Sequence, residues 1–466
     1  MNKPFLTLIA AAALSACSFA PKYEQPKVAV AETFKHAGEG DVAIAAASLG
    51  WQDYFADPRL HRLIEIALER NTDLRTAALN AEALRKQYMI ARADLLPSVG
   101  ATGNANHSGN NNSTSHSYSV GLGISAYELD LFGKVRNTGE AALQSYFASA
   151  ATRDATHLSL IASVAKAYFN ERYAEESMAL SQRVVRSREN TYKLTQLKHK
   201  AGVVSALDLR QQEALIESAK ADYENAVKNR EQARNALAVL INQPLPENLP
   251  ASLPLNKQFK ISRLPAGLPS AVLLNRPDIR AAEFALRQAN ANIGAARAAF
   301  FPSISLTGSV GMGSTELSNL FKGSSGVWAF APSINLPIFN WGALKASLDA
   351  AKIRQEIQVV NYEAAVQAAF QDIANALVAR EQLEKTYAAT ARQTRATQES
   401  LRLVNLRYKH GVASALDLLD AERSSYSSES ALLAQQLTRL ENMADVYKAL
   451  GGGMKRHTQD ETTAAQ

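Results

Sequence analysis

The chain has 466 residues, of which 47% are hydrophobic, and this composition excludes a disordered protein and provides for large buried interfaces. Its 50 Lys and Arg residues against 44 Asp and Glu residues give a formal charge of +6, and neither sign forms long runs. This balance predicts no nucleic-acid partner.

The first segment has the features of a bacterial secretory leader. Residues 1–16 combine one positive charge, an apolar stretch and small residues, so they are predicted to be a signal peptide. Cys17 is the only cysteine and ends the stretch Leu14-Ser15-Ala16-Cys17, which resembles a lipobox. We therefore expect a covalent lipid, such as palmitate, on Cys17; the alternative is a cysteine that happens to end a leader. Ser18, which is not acidic, resembles the signal that sends lipoproteins to the outer membrane.

Most of the chain is an internal duplication. A shift of 205 residues places Asp73 on Asp278 and Ser98 on Ser303, and further along a shift of 209 places Phe132 on Trp341. Two copies indicate one large duplicated unit rather than a repeat array. The predicted domains are an N-terminal lipid-anchored segment at 17–60, repeat 1 at 61–242, a Pro-rich link at 243–270, repeat 2 at 271–453 and a flexible tail at 454–466.

Each repeat contains a stretch in which apolar and polar residues alternate, which predicts β-hairpins at 97–130 and 302–339. The four strands have about the 9 to 11 residues of a tilted membrane strand. The polar stretches HSGNNNSTSHS and STELSNLFKGSSG are interpreted as loops. Four strands cannot close a barrel, and open edges are not tolerated in lipid, so several chains must pool their strands, twelve in a trimer. A small soluble sheet is the alternative.

After each hairpin the pattern becomes helical. Residues 134–200 and 343–409 lack proline and are rich in good helix formers, so each predicts one long helix. A second helix follows each, to about Ile241 and about Leu450. In the last helix, spacings of four and three predict a coiled-coil seam through Tyr426, Ser430, Leu433, Leu437, Leu440, Ala444 and Tyr447.

The turns between these helices, at 201–205 and 410–414, are near copies: GVVSALDLRQ and GVASALDLLD. A glycine to end one helix, and Ser followed three residues later by Asp208 or Asp417 to begin the next, predict capping. Capping does not explain Asp420, which the first copy replaces by Gln211. Two acids three apart on one helix of a threefold assembly predict a cation-attracting ring in a wet pore, and solvated helix-end charges are the alternative.

Catalytic and metal-binding patterns are absent from the sequence. The eight histidines show no spacing of three or four, and no second cysteine is present, so no metal site and no cofactor beyond the lipid are expected. The glycines of GSVGMGS lie in a strand pattern without a following helix, and no GxSxG or P-loop motif occurs. The protein is predicted not to be an enzyme.

The duplicated halves, the lipobox and the runs QANANIGAARAAFFPSISLTGSVG and RYKHGVASALDLLDAERSSY resemble the TolC-type outer-membrane efflux factors, in their lipoprotein (OprM/NodT-like) branch. The resemblance implies a membrane α+β fold: a trimeric 12-stranded β-barrel with four strands per chain, continuous with a long periplasmic α-helical coiled-coil barrel and a mixed equatorial belt. It also implies a resting state that is closed at the periplasmic tip.

The resemblance also assigns residues at that tip. Asp417 and Asp420 match the acidic ring of the periplasmic gate, and Asp208 and Tyr408 are possible gate partners. Ala413 stands where the best-known member has a tip-locking arginine, which leaves the lock to other contacts. The adaptor-contact turns would be formed by Gly202, Val203, Gly411 and Val412.

The resemblance implies a passive exit duct of a tripartite multidrug efflux pump, in the outer membrane of a Gram-negative bacterium. The homotrimer would work with a periplasmic membrane-fusion adaptor and an inner-membrane resistance-nodulation-division pump. The alternative cargo systems are metal-cation efflux and type I protein secretion. Only six methionines, well separated, argue against a soft metal cargo.

Overall fold

The computed structural model describes residues 19–30, 50–110, 112–260, 275–452 and 456. Cys17 lies outside them. The helices and strands are α1 (Trp51–Tyr54), α2 (Pro58–Arg70), α3 (Thr72–Ala93), β1 (Val99–Asn110), β2 (Ser113–Leu129), α4 (Lys134–Lys200), α5 (Ala206–Ile241), α6 (Pro277–Ala298), β3 (Ser303–Ser314), β4 (Gly326–Asn335), α7 (Ala343–Lys409) and α8 (Ala415–Ala449).

The chain divides into two compact units. The first comprises Met1–Val28, Ala78–Thr152 and Arg280–Ala365, and the second comprises Ala29–Ala77, Arg153–Ile279 and Val366–Gln466. The first unit contains all four named strands, and the second contains both turns between long helices.

The four strands form one antiparallel sheet in the order β1-β2-β3-β4, which joins the two repeats through β2 and β3. The strands of the two repeats come close at two glycines, since a Cβ on Gly121 would lie 2.6 Å from the carbonyl oxygen of Val310. A bulge shifts the register between Ile124 and Tyr127, where Ala126 takes a φ of 49°.

The sheet leaves β1 and β4 as its edges, each with backbone groups that no described strand pairs. Large apolar side chains are exposed along it, as the alternating pattern predicts. They include Leu122, Val310, Trp328, Phe330 and Ile334.

The first hairpin extends further than the sequence predicted. The stretch HSGNNNSTSHS is not a loop, because pairing continues from His107 opposite His116 to Asn110 opposite Ser113. Backbone pairing does not require alternating side chains, and these polar side chains are solvated on both faces. The side-chain oxygen of Asn110 accepts the backbone N–H groups of Asn112 and Ser113 at 3.0 and 2.9 Å, which closes the turn. The second polar stretch is a loop with two short 3-10 turns, as predicted.

An N-terminal strap, residues 19–28, packs on α6 in the first unit. The ring of Phe19 stacks on Phe301 with centroids 4.6 Å apart, and Phe301 stacks on Phe132 at 4.8 Å. Further along, the guanidinium of Arg287 lies 4.7 Å from the centroid of the Tyr23 ring. The strap therefore begins at the base of the sheet, where β3 starts.

The second unit has an aromatic core formed by Tyr54, Phe55, Phe169, Phe259 and Tyr447. Tyr54 stacks on Tyr447 with centroids 4.8 Å apart, and Phe259 contacts both Phe55 and Phe169 at 5.6 Å. Burial raises the pKa of the Tyr54 and Tyr447 hydroxyls far above their ordinary value.

Beside this core lies a fully buried carboxylate, Asp57. It caps α2 by accepting the N–H of Arg59 at 2.9 Å, and it accepts the hydroxyl of Tyr168 at 2.6 Å. It also accepts the N–H of Leu253 at 2.8 Å and the amide of Gln258 at 3.1 Å. Because Leu253 and Gln258 belong to the Pro-rich link, Asp57 fixes the link to α2 and α4.

Helices α4 and α7 have 67 residues each and the bounds that the sequence predicted. In the described parts of the chain, no helix is both long enough and apolar enough to cross a membrane.

The predicted seam of α8 is buried only at its last three positions, because Leu433 and Leu437 are half-buried like the positions before them. Leu440, Ala444 and Tyr447 are buried, but nearer the turn the buried positions include Ser425 and Ser428 rather than Tyr426 and Ser430. Ser428 bonds to Thr394 and Thr397 of α7 and also donates to the carbonyl of Ser425, so small polar residues are buried there.

Candidate gate at the helix turns

The two turns of the second unit have the same backbone geometry. Gly202 and Gly411 take φ values of 71° and 76°, a conformation that strains residues with a Cβ. The following N–H groups bond back: Val203 to the carbonyl of Lys198, and Val412 to that of Arg407, both at 2.9 Å. These bonds satisfy carbonyls at the end of each long helix, which explains why the turn is duplicated.

Both turns begin the next helix with a capping box. Asp417 N–H donates to Ser414 Oγ at 3.1 Å, and the Asp417 carboxylate accepts the backbone N–H and hydroxyl of Ser414 at 2.9 and 2.8 Å. Asp208 and Ser205 repeat this arrangement. Hydrogen bonds from the serines hold the pKa of both carboxyls below the ordinary value. Asp208 and Asp417 are therefore structural caps, whatever else they do.

Asp420 differs from both. It lies one turn into α8 with its side chain exposed, and the described residues include no hydrogen-bond or ion-pair partner for it. Unlike Asp417, its carboxylate is therefore available to solvent and to ions. Of the two acids that the resemblance assigns to a ring, Asp420 is the one without a structural role among the described residues.

Tyr408 is buried near the end of α7, with 5% of its surface exposed. The ammonium of Lys198, on α4, lies 4.0 Å from the centroid of its ring, within the range of a cation–π contact. This contact joins the ends of the two long helices. Sequence reasoning missed Lys198. The repeat could have indicated it, because its counterpart Arg407 also places a cation in the last turn of a long helix.

Each turn also presents aliphatic side chains to solvent. Val203 and Val412 are 70% and 68% exposed, and Leu207 and Leu416 are 68% and 64% exposed. The two leucines occupy equivalent repeat positions and were missed because a single apolar residue beside a turn is unremarkable in sequence. Each turn therefore ends in a small apolar surface around its glycine.

Helix α8, which carries Asp420, is fixed to α7 by hydroxyl groups. Thr394 donates to the carbonyl of Ser428 at 3.0 Å, and the hydroxyls of Thr397 and Ser428 lie 2.6 Å apart. On its other side, Arg188 of α4 lies 3.8 Å from Glu422. Burial raises the pKa of Glu422, and Arg188 opposes this rise.

The chain matches the outer membrane efflux protein family over residues 63–243 and 268–452, and it belongs to that family. The members are channels of the outer membrane rather than enzymes. The fold class predicted from the sequence is thereby confirmed: a TolC-type channel, which is trimeric, with four strands contributed by each chain.

Individual relatives match almost end to end. The open-state MtrE outer membrane channel of Neisseria gonorrhoeae is 65% identical with a TM-score of 0.91, over 95% of this chain and 100% of that one. The probable efflux pump outer membrane protein TtgC of Pseudomonas putida is 43% identical over 98% of this chain and 97% of its own length. The cation efflux system protein CusC of Escherichia coli K12 is 40% identical over 96% and 99%, respectively.

Proposed function

We propose that this protein is the outer-membrane exit duct of a tripartite multidrug efflux pump. As a homotrimer it passively conducts drug-like and amphipathic toxic compounds from the pump across the periplasm and the outer membrane. The sheet is the observation that carries this proposal. Its two edges, which no described strand pairs, and its exposed apolar side chains require partners that cover both, and edge pairing with two further copies within lipid provides them.

In this proposal the helix turns form the periplasmic gate. Three copies of Asp420 near the axis, with those of Asp417 beside them, form a ring that attracts cations while the duct is closed. Tyr408 and Asp208 stabilise the closed arrangement: Tyr408 through its contact with Lys198, and Asp208 by capping α5. Ala413 stands in place of a locking arginine. Among the described residues, the contact between Lys198 and Tyr408 links α4 to α7 next to the turns.

The proposed partners are a periplasmic membrane-fusion adaptor and an inner-membrane resistance-nodulation-division pump. The adaptor contacts the two turns, where Gly202 and Gly411 leave a side-chain-free backbone flanked by the exposed side chains of Val203 and Val412. Such a surface favours close approach of another helical hairpin, because nothing projects from the glycines.

We also propose a covalent lipid on Cys17. Phe19, two residues later, is stacked at the base of the sheet, so the lipid can lie at most about 7 Å of chain from that point. A lipid in this position would enter the same leaflet that the base of the sheet contacts.

The cargo is tested by complementation of a Gram-negative strain that lacks its own efflux duct. Expression together with the cognate pump and adaptor should restore resistance to amphipathic antibiotics and dyes, and omission of the pump should abolish it. The second candidate, metal-cation efflux, is favoured by the full-length similarity to CusC. Restored tolerance to copper or silver without drug resistance would select that function, and an exported protein substrate would select type I secretion.

A further inference from the structure

Two histidines that are 9 residues apart in the sequence lie next to each other in the structure. His107 of β1 and His116 of β2 are directly opposite each other across the first hairpin. Their Nδ1 atoms lie 2.5 Å apart, and the ring centroids lie 4.8 Å apart with an interplanar angle of 69°. A spacing of three or four residues places two ligands on the same face of a helix. In a hairpin, the turn decides which residues lie opposite each other, so the spacing of two paired ligands can be larger.

The pair is held in place from two directions. The ring of His107 packs edge-on against Tyr118, with centroids 5.4 Å apart. The turn of the hairpin, closed by the Asn110 side chain, fixes the strand register three residues beyond His107. The rings are therefore ordered by their surroundings while both remain exposed to solvent.

Two ring nitrogens that face one another make a strong hydrogen bond only when one carries a proton and the other does not. A transition-metal ion satisfies both lone pairs at once, with metal–nitrogen distances of about 2.0 to 2.1 Å. Two such bonds at a right angle place the nitrogens about 3 Å apart. The exposed rings need to separate by only a fraction of an ångström to reach that distance.

We propose that His107 and His116 form a bidentate binding site for a divalent transition-metal ion of the Cu²⁺, Ni²⁺ or Zn²⁺ type. Imidazole suits these ions, whereas Mg²⁺ and Ca²⁺ prefer oxygen ligands. Within the described residues there is no group of three or more His, Cys, Asp and Glu side chains around one point. Water therefore completes the coordination, and the bound ion exchanges readily.

Binding at this site ties β1 to β2 near the turn. Because the ion binds the paired strands and not the separated ones, it stabilises the end of the hairpin, and this stabilisation grows with the logarithm of the ion concentration once that concentration exceeds the Kd. The site belongs to a single hairpin, so it does not depend on the cargo or the partners proposed above.

The test uses the full-length protein in detergent, freed of metal, and titrated with Cu²⁺. We expect one site per chain by calorimetry, with an electron paramagnetic resonance spectrum that reports two coordinated imidazole nitrogens. The variants H107N and H116N should each weaken binding by on the order of 100-fold, because the loss of one ligand removes the chelate effect. The matched control is H410N, which changes an exposed histidine in the helix turn at 410–414. This variant should bind Cu²⁺ as the wild type does.

A second measurement follows the hairpin itself. Ni²⁺ should slow proteolytic cleavage near the Asn110–Ser113 turn in the wild type and in H410N, and a chelator should reverse the effect. The double variant H107N/H116N should be cleaved at the same rate with and without Ni²⁺. The proposal would be overturned if the double variant bound Cu²⁺ as tightly as the wild type does.

Discussion

At the scale of single residues, Asp417 and Asp420 lie one helical turn apart and are bonded differently. Asp417 closes a capping box with Ser414, whereas Asp420 has no bonding partner among the described residues. A change of charge at the two positions should therefore have different effects. At Asp417 it disturbs the start of α8, and at Asp420 it changes only the field that ions experience.

We predict that Asp420→Asn lowers the preference of the channel for cations and leaves thermal stability unchanged, because it removes charge without removing a bond. The double replacement of Asp417 and Asp420 by Ala should also raise conductance and make cells leakier to large antibiotics. Reversal potentials across a KCl gradient in planar bilayers measure the first effect. Asp222→Asn is the matched control, since Asp222 is an exposed acid further along α5, away from the turn. An equal shift in that variant would contradict the ring.

The contact between Lys198 and Tyr408 depends on the face of the tyrosine ring and on a positive charge, and not on the hydroxyl. We therefore predict that Tyr408→Phe behaves as the wild type, whereas Tyr408→Leu and Lys198→Gln raise the open probability of the channel. The contact contributes roughly 0.5 to 2 kcal/mol, which corresponds to a change of about 2- to 30-fold in the closed-to-open ratio. Single-channel recordings give this ratio. A Phe variant that resembles the Leu variant would assign the role to the hydroxyl instead.

At the scale of elements, the duplication extends the observed strand pairing beyond the single chain. Ser119 of β2 is opposite Gly313 of β3. The repeat equivalents of these two residues are Ala329 of β4 and Ser108 of β1, because the strands pair alike within each hairpin. If one copy joins the next as its own repeats join each other, Ala329 lies opposite Ser108 of the neighbouring copy.

We predict that the variant Ala329→Cys/Ser108→Cys forms disulfide-linked oligomers on mild oxidation in outer membranes. Directly opposite residues have Cβ atoms about 4.5 to 5.5 Å apart, whereas positions displaced by two residues are about 7 to 8 Å apart. The matched control, Ala331→Cys/Ser108→Cys, should therefore cross-link poorly. Gel electrophoresis without reductant measures both. Stronger linkage in the control would show a different register between copies.

The sequence predicted the regular elements well and the contacts between them poorly. The bounds of α4 and α7 followed from helix formers and missing prolines, because these act within one segment. The polar stretch around His107 and His116 predicts a loop, whereas its residues are paired strands, because solvated strands carry no alternation of apolar and polar residues. The polar seam of α8 near Ser428 was missed, because its bonds to Thr394 depend on how two helices pack.

The candidate gate shows the same division. The capping boxes at Asp208 and Asp417 were predictable because all their atoms lie within four consecutive residues. Lys198 was not, since it meets Tyr408 only through the packing of helices that are distant in sequence.

At the scale of the whole molecule, the proposed lipid and the proposed barrel are separate attachments to the membrane. We predict that labelled palmitate appears on the wild type and not on Cys17→Ala, while the variant still reaches the outer membrane in part, because the strands provide most of the contact with lipid. Ser18→Asp is the matched variant: it should be labelled as the wild type is, but remain in the inner membrane. Label on Cys17→Ala would contradict the assignment of Cys17.

The buried carboxylate of Asp57 limits where the chain can be cut or replaced without loss of folding. The segment between the repeats looks like a replaceable spacer, yet it delivers two of the donors that surround an acid without access to water. A circular permutant opened at Leu253, or a Gly/Ser graft across 250–258, would leave that acid short of donors in a dry interior. We expect such proteins to be lost to proteolysis before assembly, whereas cuts at the solvated Asn110–Ser113 turn should be tolerated.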